Sequence, residues 1–508
     1  MLYIAIMKCW LVLFVLIPAL AAAQSNPAAQ AARQWRQQHE RAIVDEFVTL
    51  LSVPNVSSDK PNIQRNAELI QKMLASRHIA AKLASVPGGN PVVVGSIATP
   101  GATRTIGLYA HYDGQPLDPK EWTSPPFEPT LRDRPIEDGG RVMPLPASGA
   151  SINPAARLYA RGAADDKAPI VAMLTALDAI RAAGIRMKSN ITLAFEGEEE
   201  MNSPNLEKTI AANKELFAAD LWLICDGPVY QTRQQSVIFG SRGVTTFEIT
   251  TYGARNELHS GQYGNWAPNP ALTLARLLTS MKDDSGRVKI PGFYDQVAPL
   301  TAVEQRAIHD APPVDALVRN DFWIGATDEP PKTLYDLLTQ PSLNIRGMAS
   351  SRIGAQASNV IPATAVATLD IRLVKGMDVA RTQQLVRDYI RKQGFLVVDR
   401  EPTADERRMN ARVAKVIFGG GSIALRTSME LPISKEVIRT VESVRGPVVT
   451  LPTMGGAVPL EAFERPLGTT TIIIPIANHD DNQHTFNENL RIQNLWDGIE
   501  TMAALLTM

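Results

Sequence analysis

Four short apolar runs in this chain each lead into histidine, aspartate or glutamate, and that pattern constrains the fold more than any other feature. Ile106–Ala110 is followed by His111 and Asp113. Ile191–Phe195 is followed by Glu196 to Glu200, and Leu221–Cys225 by Asp226. Thr470–Ile474 leads, after a short loop, to His484. Short apolar runs bounded by polar residues read as buried strands. Ala168–Ala183 places Ile170, Val171, Leu174 and Leu177 at helical spacing and stops at Gly184, and Ile492–Leu506 carries Ile492, Leu495, Ile499 and Met502 on one face. Strands alternating with helices predict a layered α/β domain. In open α/β sheets, ligands gather beyond the carboxyl ends of strands.

A second pattern interrupts the first. Thr245–Thr250, Leu343–Ile345, Ala365–Val374 and Phe395–Val398 read as strands, with helices at Pro270–Met281 and Val379–Lys392. The order βαββαβ predicts a ferredoxin-like unit. A chain of 508 residues is too long for one core. The expected organisation is a leader at 1–23, a catalytic domain in two parts at 24–243 and 406–508, and an inserted lid at 244–405. Residues 24–38, rich in Ala and Gln, read as a frayed lead-in, with ordered structure expected from Ala42. The Pro- and Gly-rich stretch from Trp122 to Ala156 reads as a long functional loop.

Lys8, the apolar run Cys9–Leu20 and Ala21-Ala22-Ala23 read as a secretory signal peptide cut after Ala23. The run falls short of the ~20 residues of a spanning helix, so no membrane association is expected after cleavage. Secretion into a bacterial periplasm is the expected location. Cys225 alone would remain, which excludes an intramolecular disulfide. A net charge of −1 gives no reason to expect nucleic acid as a partner.

Each chemical motif also has an ordinary reading. His111 and Asp113, two apart on an extended chain, share a face. That suits a carboxylate orienting a metal-bound imidazole, or simply a satisfied strand end. Asp165 and Asp166 open a helix, where aspartate is commonly a cap. The run Glu198-Glu199-Glu200 would ordinarily be solvated, but it leaves a buried strand. Arg372 would ordinarily pair with a nearby acid. Jointly, imidazole and carboxylate groups past four strand ends fit a divalent ion such as Zn²⁺ or Mn²⁺.

The stretches His111-Tyr112-Asp113, Trp122 to Pro129, Arg161-Gly162 to Lys167, Glu196 to Glu200, Asp226, Leu258-His259-Ser260-Gly261, Gly455-Gly456-Ala457-Val458-Pro459 and His484 occur in a known order. In these, the chain resembles the dinuclear-metal aminoacylase and carboxypeptidase family of metallopeptidases, and especially its carnosine-dipeptidase-like branch. The resemblance implies a three-layer α/β/α catalytic domain with a mixed sheet, split by a ferredoxin-like lid that also dimerises. It implies that His111 and Asp226 bind one metal, Glu200 and His484 the other, and that Asp165 bridges them. Asp113 would orient His111, and Glu199 would be the general base. His259 would polarise the scissile carbonyl in a neighbouring subunit, and Arg372 would hold the substrate carboxylate. Gly455 and Gly456 would lie beside the substrate, and the Asp165–Asp166 peptide would be cis. Two Zn²⁺ ions are expected, with Mn²⁺ or Co²⁺ as alternatives, in a homodimer acting on small peptides.

Some positions depart from the family pattern. Asp133–Asn153 is longer than usual, Ala168 stands where glycine is common, and Met454 and Ala457 replace polar residues. Two further readings stay open. One is an N-acyl-amino-acid deacylase, and the other is a non-catalytic binding protein on the same scaffold.

Overall fold

A computed structural model describes residues 26–508. The apolar run Cys9–Leu20 and the cleavage point after Ala23 lie outside the described residues. The large sheet has eight strands in the spatial order Ala81–Ala84, Val92–Ile97, Asn190–Glu196, Thr105–His111, Leu221–Ile224, Thr470–Ile473, Ser236–Ile238 and Val449–Leu451. It is mixed. The strands beginning at Asn190, Thr105, Leu221 and Thr470 are mutually parallel, while the edge strands Val92–Ile97 and Ala81–Ala84 run antiparallel. Parallel pairing puts the carboxyl ends of those four central strands on one edge of the sheet.

Alternation along the strands separates two cores. Leu108, Ala110 and Leu223 face a core shared with the helices Pro27–Leu51, Lys60–Ser76, Lys167–Ala182, Pro432–Arg445 and Ile492–Leu506. Tyr109, Trp222 and Ile224 face the opposite core, against Leu206–Ala212 and Leu460–Leu467. The result is the expected α/β/α sandwich. Gly107 is needed at the centre of the sheet, because a Cβ there would lie 2.3 Å from the ring of Trp222.

The first helix corrects the expectation of a frayed lead-in. It begins at Pro27, with Asn26 as its cap. Ala28, Ala29 and Ala32 are buried, and Arg33 donates to both oxygens of the buried Glu500 at 2.9 and 2.8 Å. Small alanines let this helix lie close to its neighbours, so a stretch that looks featureless is a packing surface.

The second sheet has the order Ser342–Ala349, Thr364–Leu373, Gly243–Tyr252, Val413–Ser422 and Leu396–Val398. Helices Pro270–Ser280 and Val379–Lys392 share its core. The four expected strands and two helices are present, and a fifth strand, Val413–Ser422, is inserted between Gly243–Tyr252 and Leu396–Val398. Its Gly419-Gly420-Gly421 run reads as loop in the sequence. We propose that the lid extends to Ser422, past the 405/406 boundary. The opposite face of this sheet carries Val244, Thr246, Asp370 and Arg372 to the cleft shared with the ends of the large sheet's strands.

The long loop is anchored by strand pairing to the segments beyond it. Thr130–Arg132 pairs with Arg157–Tyr159, which pairs with Asn489–Arg491. This small sheet ties the segment carrying His484 to the approach to Asp165. No helix among the described residues is long and apolar enough to cross a membrane.

Candidate metal centre

Asp165 is the hub of the cleft. His111 Nε2 lies 2.8 Å from its Oδ1, and His484 Nε2 lies 3.0 Å from its Oδ2. Two donor groups share this carboxylate. One is His111, Asp165 and Asp226, and the other is Asp165, Glu200 and His484, with the donor atoms of each group within 4.8 Å of one another. Ligands around a common zinc ion at about 2.1 Å stand at comparable separations. Glu199 belongs to neither group, although its Oε2 is 3.9 Å from His111 Nε2.

Strand ends and backbone donors hold these side chains. His111 ends its strand fully buried, and its Nδ1 is 3.4 Å from Asp113 Oδ1. Asp113 also accepts from Ser57 Oγ at 2.6 Å and from the backbone N–H groups of Glu199 and Glu200 at 3.1 and 3.0 Å. Asp113 therefore fixes the imidazole, its carbonyl oxygen 3.2 Å from His111 Nδ1, while its carboxylate holds the turn that carries the two glutamates. The Asp165–Asp166 peptide is cis. His484 has φ of 63°, a left-handed conformation uncommon for a residue with a Cβ. His479 is half-buried and stands in neither donor group.

The donor set fits divalent ions. Burial, with Asp165 adding to it, pushes Glu200 up to about 8 and Asp226 up to about 6. Burial likewise raises Glu199 well above the ordinary range, and the neighbouring Asp226 and Glu200 add to the rise despite His111. Carboxylates this crowded and this dry need compensating positive charge. Two histidines with only carboxylates are the ligand chemistry of zinc or manganese rather than of a soft thiolate site. Cys225, beside Asp226, is fully buried, with its Sγ turned toward Met502 Sδ at 3.9 Å.

The cleft has a volume of about 650 Å³. Its floor holds Asp165, Glu199, Glu200, Asp226 and His484, and its roof holds Arg346, Asp370 and Arg372 of the second sheet. Arg372 Nε is 3.5 Å from Asp370 Oδ2, the ordinary pairing, yet it still lines the cleft. Gly455 and Gly456 form a wall with Met454 and Ala457. A Cβ on Gly455 would come 3.0 Å from Leu338. His259 does not join the cleft of its own chain. It is exposed, on a short strand paired with Val360–Ile361, and accepts from Gly261 N–H at 3.1 Å.

Sequence reasoning missed several residues here. Glu488 is fully buried and receives four donors: Arg161 Nη1 and the backbone N–H groups of Gly162, Ala164 and Asp165, at 2.9 to 3.0 Å. Gln483 donates to Asp165 Oδ2 at 2.6 Å, and Gln115 to Glu200 Oε2 at 2.7 Å. An acid four positions after His484 was the available signal for Glu488. Nothing in the sequence marks Arg346.

Fold and site together define a metal-dependent peptidase built around paired divalent-ion sites. The chain belongs to peptidase family M20/M25/M40, whose profile matches residues 107–508, and within it to the carnosine-dipeptidase-like branch. It is 27% identical over 483 residues to the Cys-Gly metallodipeptidase dug1 of Schizosaccharomyces pombe, covering 90% of this chain and 94% of that one. It is 27% identical over 488 residues to the Beta-Ala-His dipeptidase of Homo sapiens, covering 91% and 89%. Among solved structures, an M20 family metallo-carboxypeptidase from Sulfolobus solfataricus superposes with a TM-score of 0.75 at 26% identity, covering 92% and 98%. These comparisons overturn the expected secreted, periplasmic location. The likeness is to fungal Cys-Gly and mammalian Beta-Ala-His dipeptidases, and the expectation of export is not kept.

Proposed function

We propose that this peptidase removes the carboxyl-terminal residue of dipeptides and other small peptides, using two divalent ions, with Zn²⁺ the first candidate. The observation that carries the reading is the disposition of Asp165. It stands between two histidine-containing donor groups, with the non-ligating Glu199 beside it and Arg372 across the cleft. His111 and Asp226 would hold one ion, Glu200 and His484 the other, and Asp165 both. The ions would polarise the scissile carbonyl and lower the pKa of water toward neutrality.

The chain's own residues do the rest. Asp113 keeps the His111 ring oriented. The Glu199 carboxylate takes a proton from the attacking water and returns it to the leaving nitrogen. Arg372 pairs with the substrate's terminal carboxylate, a charge-assisted contact suited to a guanidinium. The names of the matched proteins, two dipeptidases and a carboxypeptidase, support an exopeptidase.

The experiment is hydrolysis of plain dipeptides, their carboxyl-amidated forms and N-acetyl amino acids, by chelated protein with and without Zn²⁺ or Mn²⁺. Metal-dependent cleavage of the free dipeptides is expected. Amidation or Arg372→Met should lower kcat/KM by about tenfold to a hundredfold, the worth of one charge-assisted hydrogen bond. Cleavage restricted to N-acetyl amino acids would replace this reading with the deacylase, a reading favoured by the apolar Met454 and Ala457 in the cleft wall.

We also propose a homodimer through the second sheet's unit. Its edge strand Ser342–Ala349 exposes Ile345 and Met348, Ile353 shortly after it is 87% exposed, and Trp266, seven residues after His259, is 79% exposed. His259 is exposed and does not line its own cleft, as expected of a residue serving a neighbour. Sedimentation at micromolar concentration should give twice the chain mass, and a monomer would refute the proposal.

A further inference from the structure

Two arginines line the roof of the cleft, and the proposed function uses only one. Arg372 stands opposite Ser342 on the edge strand, and Asp370 opposite Asn344. Farther along, the register jumps: Ile345 faces Leu369 and Gly347 faces Thr368, so Arg346 is the extra residue of a bulge. Bulges beside active sites re-aim a side chain, and this one brings Arg346 to the cleft. Among the described residues Arg346 has no hydrogen-bond or ion-pair partner.

The charge balance of the roof is uneven. Asp370 is its one carboxylate, and it is already engaged by Asn344 Nδ2 at 3.0 Å and by Arg372. Behind it, Arg242 is buried, donating to Gln340 O and Ser342 Oγ, both at 2.9 Å. Burial and then the nearby Arg372 lower its pKa to about 10. The roof and the layer behind it thus hold three guanidinium groups and one carboxylate, and only Arg372 is paired with that carboxylate. A single substrate carboxylate on Arg372 leaves Arg346 unmatched.

We infer that Arg346 is a specificity residue that receives a second carboxylate, the side chain of a carboxyl-terminal aspartate or glutamate. The inference rests on the proposed exopeptidase function. Both arginines come from the same sheet, so both address the carboxyl-terminal half of the substrate, away from the floor that holds the acidic donors. A carboxylate replaced by its amide keeps its shape and loses its charge, so Gln and Asn peptides isolate the effect.

The test compares Ala-Glu with Ala-Gln, and Ala-Asp with Ala-Asn, on metal-loaded protein and on its Arg346→Gln and Arg346→Lys variants. The wild-type protein should favour the acidic peptide roughly tenfold or more in kcat/KM, carried by KM. Arg346→Gln should bring the ratio close to one, and Arg346→Lys should restore part of it. Binding of the same uncleaved pairs to Glu199→Gln protein should show the same preference without turnover. A ratio near one in the wild-type protein would overturn the inference and leave the exopeptidase reading standing, as would an Arg346→Gln variant that loses both peptides equally. Failure to hydrolyse any of the four would overturn both.

Discussion

Glu199→Gln should lower kcat by about 10² to 10⁴, the usual worth of a positioned general base, while the protein keeps its full complement of metal. The two halves of that result have separate structural causes. Glu199 is absent from both donor groups around Asp165, so an amide there takes no ligand away. Its backbone N–H is pinned by Asp113 Oδ1 at 3.1 Å, so the neutral side chain stays where the carboxylate was. An amide oxygen can still accept from water but cannot carry its proton. Glu200→Gln is the contrasting variant. That residue sits in a donor group with Asp165 and His484, and its loss should appear first in metal content. Metal analysis beside steady-state kinetics separates the two. A Glu199→Gln protein that turns over normally, or that loses metal in step with activity, would contradict the role.

Much of this site can be read from the chain because four parallel strands carry it. Once Ile106–Ala110, Ile191–Phe195, Leu221–Cys225 and Thr470–Ile474 are recognised as buried strands, parallel order alone brings their carboxyl ends to one edge. What local pattern cannot convey is a partner made of backbone. Glu488 is held by N–H groups that exist only after residues 162–165 turn, and no side-chain pattern records them. The strand Val413–Ser422 is hidden for a related reason. Its ladder bonds come from the main chain, and Gly419 to Gly421 look like a loop to any reading based on side chains. The helix from Pro27 is obscured by its own alanines, which pack by being small rather than by forming an apolar stripe. Arg346 is exposed by a bulge, a register event that depends on the neighbouring strand.

Glu488→Ala should cost about 3–5 kcal/mol of stability, the range for removing one partner of a buried ion pair. Glu488 is wholly buried, and its two oxygens take four donors. Oε1 accepts from Ala164 N–H and Asp165 N–H, and Oε2 from Gly162 N–H and Arg161 Nη1. Truncation leaves the Arg161 charge and three N–H groups facing a cavity. The same turn aims Asp165, with Gly162 in the left-handed region at φ of 82°. Metal affinity should therefore also fall, by about tenfold to a hundredfold, as when the partners that orient a ligand are lost. Glu488→Gln should be milder. Burial raises the pKa of this carboxyl even with Arg161 beside it, so an uncharged group that keeps one acceptor oxygen suits the site better than a void. Urea unfolding of the metal-free proteins measures the first effect, and titration with Zn²⁺ or Mn²⁺ the second. If Glu488→Ala unfolds with the wild-type midpoint and binds metal as tightly, the turn holds Asp165 without it. If stability falls while metal affinity does not, Glu488 supports the fold and leaves the aim of Asp165 to Gln483 and the histidines.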